Sequence, residues 1–118
     1  MQNAEGAFVQ PDDESFGAAA AGADWSRAAF YEILTHKSGK HSWPITGATF
    51  ILIPRSSAKP EQLAEVLRFF DWAYANGDQL ALALDYVPIP DGVVRQVHAA
   101  WEQHVKDASG KSLWAAVK

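Results

Sequence analysis

Gly47-Ala48-Thr49-Phe50-Ile51-Leu52-Ile53-Pro54 is the stretch on which the fold turns. Its β-branched and aromatic residues favour extended backbone, and Pro54 stops it. The apolar run does not alternate, which is the pattern of a strand buried on both faces in a sheet covered by helices. A lone strand leaves its backbone N–H and C=O groups unpaired, so this one demands partner strands. The chain offers few. Phe8-Val9 reads as a short edge strand, and Val87-Pro88-Ile89-Pro90 reads as extended.

Helical patterns surround the strand. Pro11-Asp12-Asp13-Glu14 reads as a helix start, with proline in the first turn and carboxylates at the positive end of the dipole. That helix runs through the alanines at 18–21 to Gly22. Asp24 is placed to cap a second helix carrying Trp25, Phe30, Ile33 and Leu34. Pro60 opens the clearest helix, with Leu63, Val66, Leu67, Phe70 and Tyr74 on one stripe and Asn76-Gly77 at its end. Asp78 caps a short helix with Leu80, Leu82 and Leu84. Asp91 caps the last, with Val94, Val97, Trp101 and Val105 along one face. The expectation is about five helices and one or two strands, a part of an α/β protein and not a finished all-α bundle.

The chain has 118 residues, enough for one domain. Apolar residues make up 48% and five tryptophans are present, so a packed core is expected and a disordered tail is not. The net charge of −4 argues against nucleic acid and anionic membranes. There is no cysteine, which removes disulfides, thiolate metal sites and thiol catalysis. No run of apolar residues is long enough to span a bilayer. The start, Met1-Gln2-Asn3-Ala4-Glu5-Gly6, lacks the basic and apolar regions of a signal peptide, so the expectation is a cytoplasmic product or an internal piece of an exported chain.

Trp43-Pro44-Ile45-Thr46 followed by Gly47–Ile53 is similar to a stretch of the periplasmic phosphate-binding receptors of bacterial ABC transporters. So are Lys59-Pro60-Glu61-Gln62 and Val66-Leu67-Arg68-Phe69-Phe70-Asp71-Trp72-Ala73-Tyr74. Leu84-Asp85-Tyr86, Pro90, Val93-Val94, Ala99-Ala100-Trp101 and Lys106-Asp107-Ala108-Ser109-Gly110-Lys111 continue the match. Gln2-Asn3-Ala4, Phe8-Val9 and Gly22-Ala23-Asp24-Trp25-Ser26 extend it upstream, so it covers nearly the whole chain. The chain resembles a C-terminal portion of that family. The resemblance implies a helix-rich partial periplasmic-binding-protein fold with a short, mostly buried strand. Residues 1–42 would finish one lobe, 43–46 would cross between lobes, and 47–118 would return to the other.

Full-length members of the family hold phosphate in a cleft between two lobes. Their anion contacts resemble a Thr-Phe pair, a Ser, an Asp and an Arg-x-x-x-Ser-Gly-Thr loop, none of which matches a stretch here. The nearest phrase, Arg55-Ser56-Ser57, lacks the glycine, so no ligand-binding residue carries over. The implied partners are inorganic phosphate in the full-length receptor and the membrane permease. The implied location is the periplasm.

Read by themselves, the polar residues point to no chemistry. His36 and His41 share a loop without a carboxylate at ligand spacing. His98 and His104 sit on different faces of a helix and read as solvated. Asp12, Asp13 and Glu14 read as helix-start charges and not as an acid/base cluster. Ser38-Gly39-Lys40 and Ser109-Gly110-Lys111 lack the Gly-x-x-x-x-Gly-Lys-Ser/Thr frame of a phosphate loop and read as turns. Trp25, Trp43, Trp72, Trp101 and Trp114 read as core. No catalytic residue, cofactor or metal is expected. A phosphate-receptor segment unable to bind phosphate alone is the leading reading, and a stand-alone interaction module derived from the same fold is the alternative. The uncovered strand edge further predicts self-association as a symmetric dimer, with Trp43–Thr46 as a hinge for exchange.

Overall fold

A computed structural model describes residues 1–26 and 30–117. The first helix, α1 (Asp13–Ala21), begins where a capping box is available. The Ser15 N–H donates to Asp12 Oδ1 at 2.8 Å, and the Asp12 N–H donates to Ser15 Oγ at 3.2 Å. Asp12 is therefore the cap, and Pro11 lies outside the helix. At the other end a Cβ on Gly22 would stand 3.1 Å from the Ser38 carbonyl, so glycine lets the 38–42 loop close over the helix end.

Three more helices follow: α2 (Pro60–Asn76), α3 (Asp78–Ala83) and α4 (Asp91–His104), with a 3-10 turn at Trp114–Ala116. Pro60 takes the first position of α2, where its missing N–H costs nothing. Gly77 joins α2 to α3, because a Cβ there would lie 2.5 Å from the Ala73 carbonyl. Asp78 and Asp91 occupy the first helical positions, and the caps are Gly77 and Pro90. Neither carboxylate was needed as a cap, since each faces the helix dipole from inside the first turn.

The helix expected from Asp24 to Leu34 is absent over the described part, and Arg27–Ala29 lie outside it. Asp24 instead accepts from the Ser26 N–H at 3.0 Å and the Ser26 hydroxyl at 2.6 Å, a local turn. Phe30 takes a positive φ of 47°. Residues 31–35 are extended: Glu32 and Leu34 are buried while Tyr31 and Ile33 are exposed. Thr35 bridges to Ile45, and the His36 N–H donates to the Pro44 carbonyl at 2.9 Å. Tertiary bonding and β-branched, aromatic composition override the helical spacing here.

The expected buried strand also differs. Residues 48–53 run without helix or ladder, and Phe50, Ile51 and Leu52 are 43%, 52% and 93% exposed. The described residues hold three isolated bridges and no sheet. The physical reason is the one that the composition raised: an all-apolar strand is buried by neighbours, and no described segment supplies them. The described residues hold four α-helices and one 3-10 turn, against about five helices expected.

Two small cores hold the chain. In the larger, Leu63 and Leu67 of α2 meet Trp101 of α4, Val105, Leu113 and Trp114. In the smaller, Ala20, Trp25, Leu34 and Val93 pack together, and the Trp25 indole N–H donates to the Ala20 carbonyl at 2.9 Å. Not every expected apolar position is covered. Val66 and Trp72 of α2 are exposed, as are Leu80, Leu82 and Leu84 in and after α3. On α4 it is Val93 that is buried, with Val94 and Val97 half-buried.

The dimensions match this picture. The molecule measures 51 × 30 × 18 Å with a radius of gyration of 16.1 Å, against roughly 13.5 Å for a compact domain of this length. Its accessible surface is 7703 Å², against roughly 6,300 Å² for a compact monomer of this mass.

Candidate functional site

The principal cavity is an apolar groove of about 440 Å³. Residues 48–53 form one bank, with Val93, Val97 and Trp101 of α4 opposite and Phe70 and Tyr74 of α2 at one end. Helical spacing explains the α4 bank, because 93, 97, 101 and 104 fall on successive turns of one face. Burial raises the Tyr74 phenol above its usual value. The lining is hydrocarbon with a few polar edges, chiefly Thr49, Arg55 and His104. Such a groove takes apolar side chains; it lacks the converging donors that an anion requires.

The two turns that look like phosphate loops carry their own carboxylates. The Gly39 N–H donates to Glu5 Oε1 at 2.6 Å. The Asp107 carboxylate accepts from the Ser109 hydroxyl at 2.6 Å and from the N–H groups of Ser109 and Lys111 at 2.8 and 2.9 Å. These bonds, led by the Ser109 hydroxyl, hold the Asp107 carboxyl below its ordinary value. A phosphate would meet an occupied donor and a like charge in either turn.

The remaining singled-out residues are placed as follows. His36 takes φ 53° in its turn, and His41 borders a small surface hollow with Asp12 and Glu14. His98 is a correction. It is not a solvated surface residue but stacks on Trp114 at 4.7 Å and sits 5.2 Å from Trp101, with Nε2 3.2 Å from Asp71 Oδ1. Its position follows from α4, one turn after Val94 and three residues before Trp101, on the side where α4 meets the 3-10 turn. Among the described residues no three His, Cys, Asp or Glu side chains could hold one metal ion, and no helix is long and apolar enough to cross a membrane. Trp25, Trp43, Trp101 and Trp114 are buried, and Trp72 is not.

Two polar features escaped the sequence. Asn3 is buried, and its Nδ2 donates to the carbonyls of Lys40 and Gly39 at 2.8 and 3.1 Å while Oδ1 accepts from the Ala7 and Glu5 N–H groups at 3.0 and 3.1 Å. Glu32 is buried against the Lys37 ammonium. Asn3 carried no signal in its neighbours. Glu32 did, since a charged residue between Tyr31 and Ile33 fits alternation better than a helix face.

The described residues thus define a helix-rich chain, consistent with a partial α/β fold, built around an apolar groove. No protein-family model matches the chain. Curated relatives do. The chain is 48% identical over 115 residues, 97% of its length, to the phosphate-binding protein PstS of Pasteurella multocida. It is 49% identical over 107 residues to that of Haemophilus influenzae and 44% identical over 107 residues to that of Xylella fastidiosa, each over 90% of its length. It covers 33%, 32% and 29% of these relatives, so it spans about a third of the length of the proteins it matches. The chain is therefore related to the PstS phosphate-binding proteins and corresponds to a portion of them. These relatives are named as binding proteins, not as enzymes.

Proposed function

We propose that the chain is the C-terminal portion of the solute receptor of an ABC-type phosphate uptake system, and that it does not bind phosphate alone. The observation that carries this is the identity of 43–49% to phosphate-binding proteins over nearly the whole chain. The internally filled turns and the apolar groove support the second half of the statement. A receptor of this kind works in the periplasm and delivers phosphate to a membrane permease. No residue here contacts the anion. Residues 1–42 belong to one lobe, 43–46 cross, and 47–118 belong to the other. Supporting the crossing, no helix passes through residues 40–48, and the Trp43 N–H donates back to the Ser15 carbonyl at 2.9 Å. Beyond Gly47 the chain leaves that contact to line the groove. Titration calorimetry with inorganic phosphate tests the reading. No binding is expected from the chain alone, and micromolar affinity would reveal a site built from other residues.

One observation favours the second reading, a stand-alone interaction module. The exposed Phe50-Ile51-Leu52 run offers an edge on which a second copy can pair. Light scattering after gel filtration decides it: a stable symmetric dimer supports the module, and a monomer at high micromolar concentration removes it.

A further inference from the structure

Asn76 and Gly77 form the joint between α2 and α3, and the pair carries a chemistry of its own. An asparagine amide is open to attack by the backbone nitrogen of the next residue, most of all when that residue is glycine, which has no side chain to shield the nitrogen. The joint requires this glycine. Gly77 sits at φ −90° and ψ −9°, and a Cβ there would stand 2.5 Å from the Ala73 carbonyl oxygen. The packing that closes the end of α2 therefore also keeps the reactive pair in place.

Asn76 is exposed, so water and hydroxide reach its amide. Two hydrogen bonds restrain the reacting groups. The Gly77 N–H, which supplies the nucleophile, donates to the Ala73 carbonyl at 2.7 Å. Asn76 Nδ2, the leaving group, donates to the Trp72 carbonyl at 2.9 Å. While both bonds stand, the nitrogen keeps its proton and the side chain is tied back along the helix, away from the bond that must form. Both belong to the last turn of α2, where a helix frays first. No basic residue in that turn complements the dipole, so little else secures it.

The rest of the chain gives the contrast. The other asparagine, Asn3, precedes Ala4, is buried, and is bonded through both side-chain atoms. The glutamines would have to close a larger, slower ring. Asp91-Gly92 at the start of α4 is a related pair, but a carboxylate is the poorer leaving group and its rearrangement leaves the mass unchanged.

We propose that Asn76 is a spontaneous deamidation site gated by opening of the last turn of α2, and that its conversion unlatches α2 from α3. The Gly77 nitrogen gives its proton to hydroxide and attacks Asn76 Cγ. The Cγ–Nδ2 bond breaks, and Nδ2 takes a proton from water and leaves as ammonia. Water then opens the five-membered imide at either carbonyl, giving aspartate or isoaspartate. The net change is water in and ammonia out, with no oxidation or reduction. Aspartate loses the donor to the Trp72 carbonyl and sets a carboxylate at the negative end of the helix dipole. Isoaspartate lengthens the backbone by one atom, which pulls the Gly77 N–H off the Ala73 carbonyl.

Incubation of the chain in mildly alkaline buffer tests this, with peptide mass spectrometry and electron-transfer fragmentation to tell aspartate from isoaspartate. The mass gain is expected at residue 76 and not at Asn3, and its rate in the folded chain is expected to be about 10- to 1,000-fold below that of the urea-unfolded chain. Below the unfolding transition, urea is expected to speed deamidation and Gly77 amide exchange in parallel. Asn76→Gln is expected to abolish the gain. Asn76→Asp, and the converted chain separated by its added charge, are both expected to exchange amides 77–80 at least about 5-fold faster than the native chain. No product at 76 in the folded chain, or a rate equal to that of the unfolded chain, overturns the proposal. Deamidation that ignores urea while Gly77 exchange accelerates removes the gate, and unchanged exchange at 77–80 in the converted chain removes the unlatching.

Discussion

Asn3→Asp exchanges one atom type at the most connected polar side chain of the molecule. In the native chain Nδ2 donates to the Lys40 and Gly39 carbonyls at 2.8 and 3.1 Å, with the Ser42 carbonyl 3.4 Å away. A carboxylate oxygen in that place turns two donations into repulsive contacts and leaves three acceptors facing a charge. It also adds a second anion beside the Glu5 carboxylate, which already accepts from the Gly39 N–H. Each lost hydrogen bond is worth about 1 kcal/mol, and a buried acceptor left without a donor costs about 1–3 kcal/mol more. Relaxation and water entry recover part of this, so about 3 kcal/mol is the expected loss. With an unfolding entropy of roughly 0.25 kcal/mol/K for a chain of this length, the midpoint falls by roughly 12 °C. Thermal unfolding followed by far-UV circular dichroism reads it, with Asn3→Ala as a comparison that removes the donors without adding charge and costs less. A shift under about 3 °C for Asn3→Asp would mean that the Asn3 side chain does not hold the 39–42 loop in solution.

Leu67→Ala empties the centre of the larger core, where Leu67 is fully buried, and is expected to cost about 2–5 kcal/mol in urea unfolding. Raising the pH tests Tyr74. Its folded phenol titrates above its unfolded value because burial disfavours the charged form. Its contribution is therefore complete below about pH 10 and is lost as pH rises through the raised value. Tyr74→Phe flattens that alkaline limb. Asp107 works in the opposite direction. Its folded carboxyl titrates below the unfolded value, so its contribution is present at neutral pH and disappears as pH falls through the lowered value. Asp107→Ala is expected to remove this acid dependence and to speed amide exchange at Ser109 and Lys111.

Much of the fold was legible where a pattern and its burial agree within the chain. Leu63, Leu67, Phe70 and Tyr74 recur at helical spacing, and α2 forms with that stripe inward. α1 was legible from the carboxylates at its start and the alanine run, although Asp12 proves to be the cap and Pro11 lies outside the helix. Residues 30–35 were misread because Trp25, Phe30, Ile33 and Leu34 also satisfy helical spacing. The alternation of Tyr31, Glu32, Ile33 and Leu34 was the better guide, and only long-range bonds to Pro44 and Ile45 select it. For Phe50–Ile53 the composition led to a buried strand, whereas the structure shows an exposed run with no ladder, because burial depends on partners that local sequence does not contain. The groove was not legible as a site at all, since it is lined by residues 48–53, α2 and α4, segments that only the fold brings together. The two filled turns were legible as turns, whereas the carboxylates that fill them became visible only through the fold.

The open, 18 Å-thin shape has a consequence for how the chain unfolds. Denaturant sensitivity scales with the surface newly exposed on unfolding, and so does the heat-capacity change. An unfolded chain of this mass exposes roughly 18,700 Å², so a compact fold would hide roughly 12,400 Å² of it. With 7703 Å² still exposed in the folded chain, only about 11,000 Å² is hidden. The urea slope and the heat capacity of unfolding are then about a tenth smaller than those of an ordinary domain of equal length. The transition is correspondingly broad, and any partner that seals the groove sharpens it as well as raising its midpoint, a signature that separates docking onto the apolar bank from mere contact elsewhere on the surface.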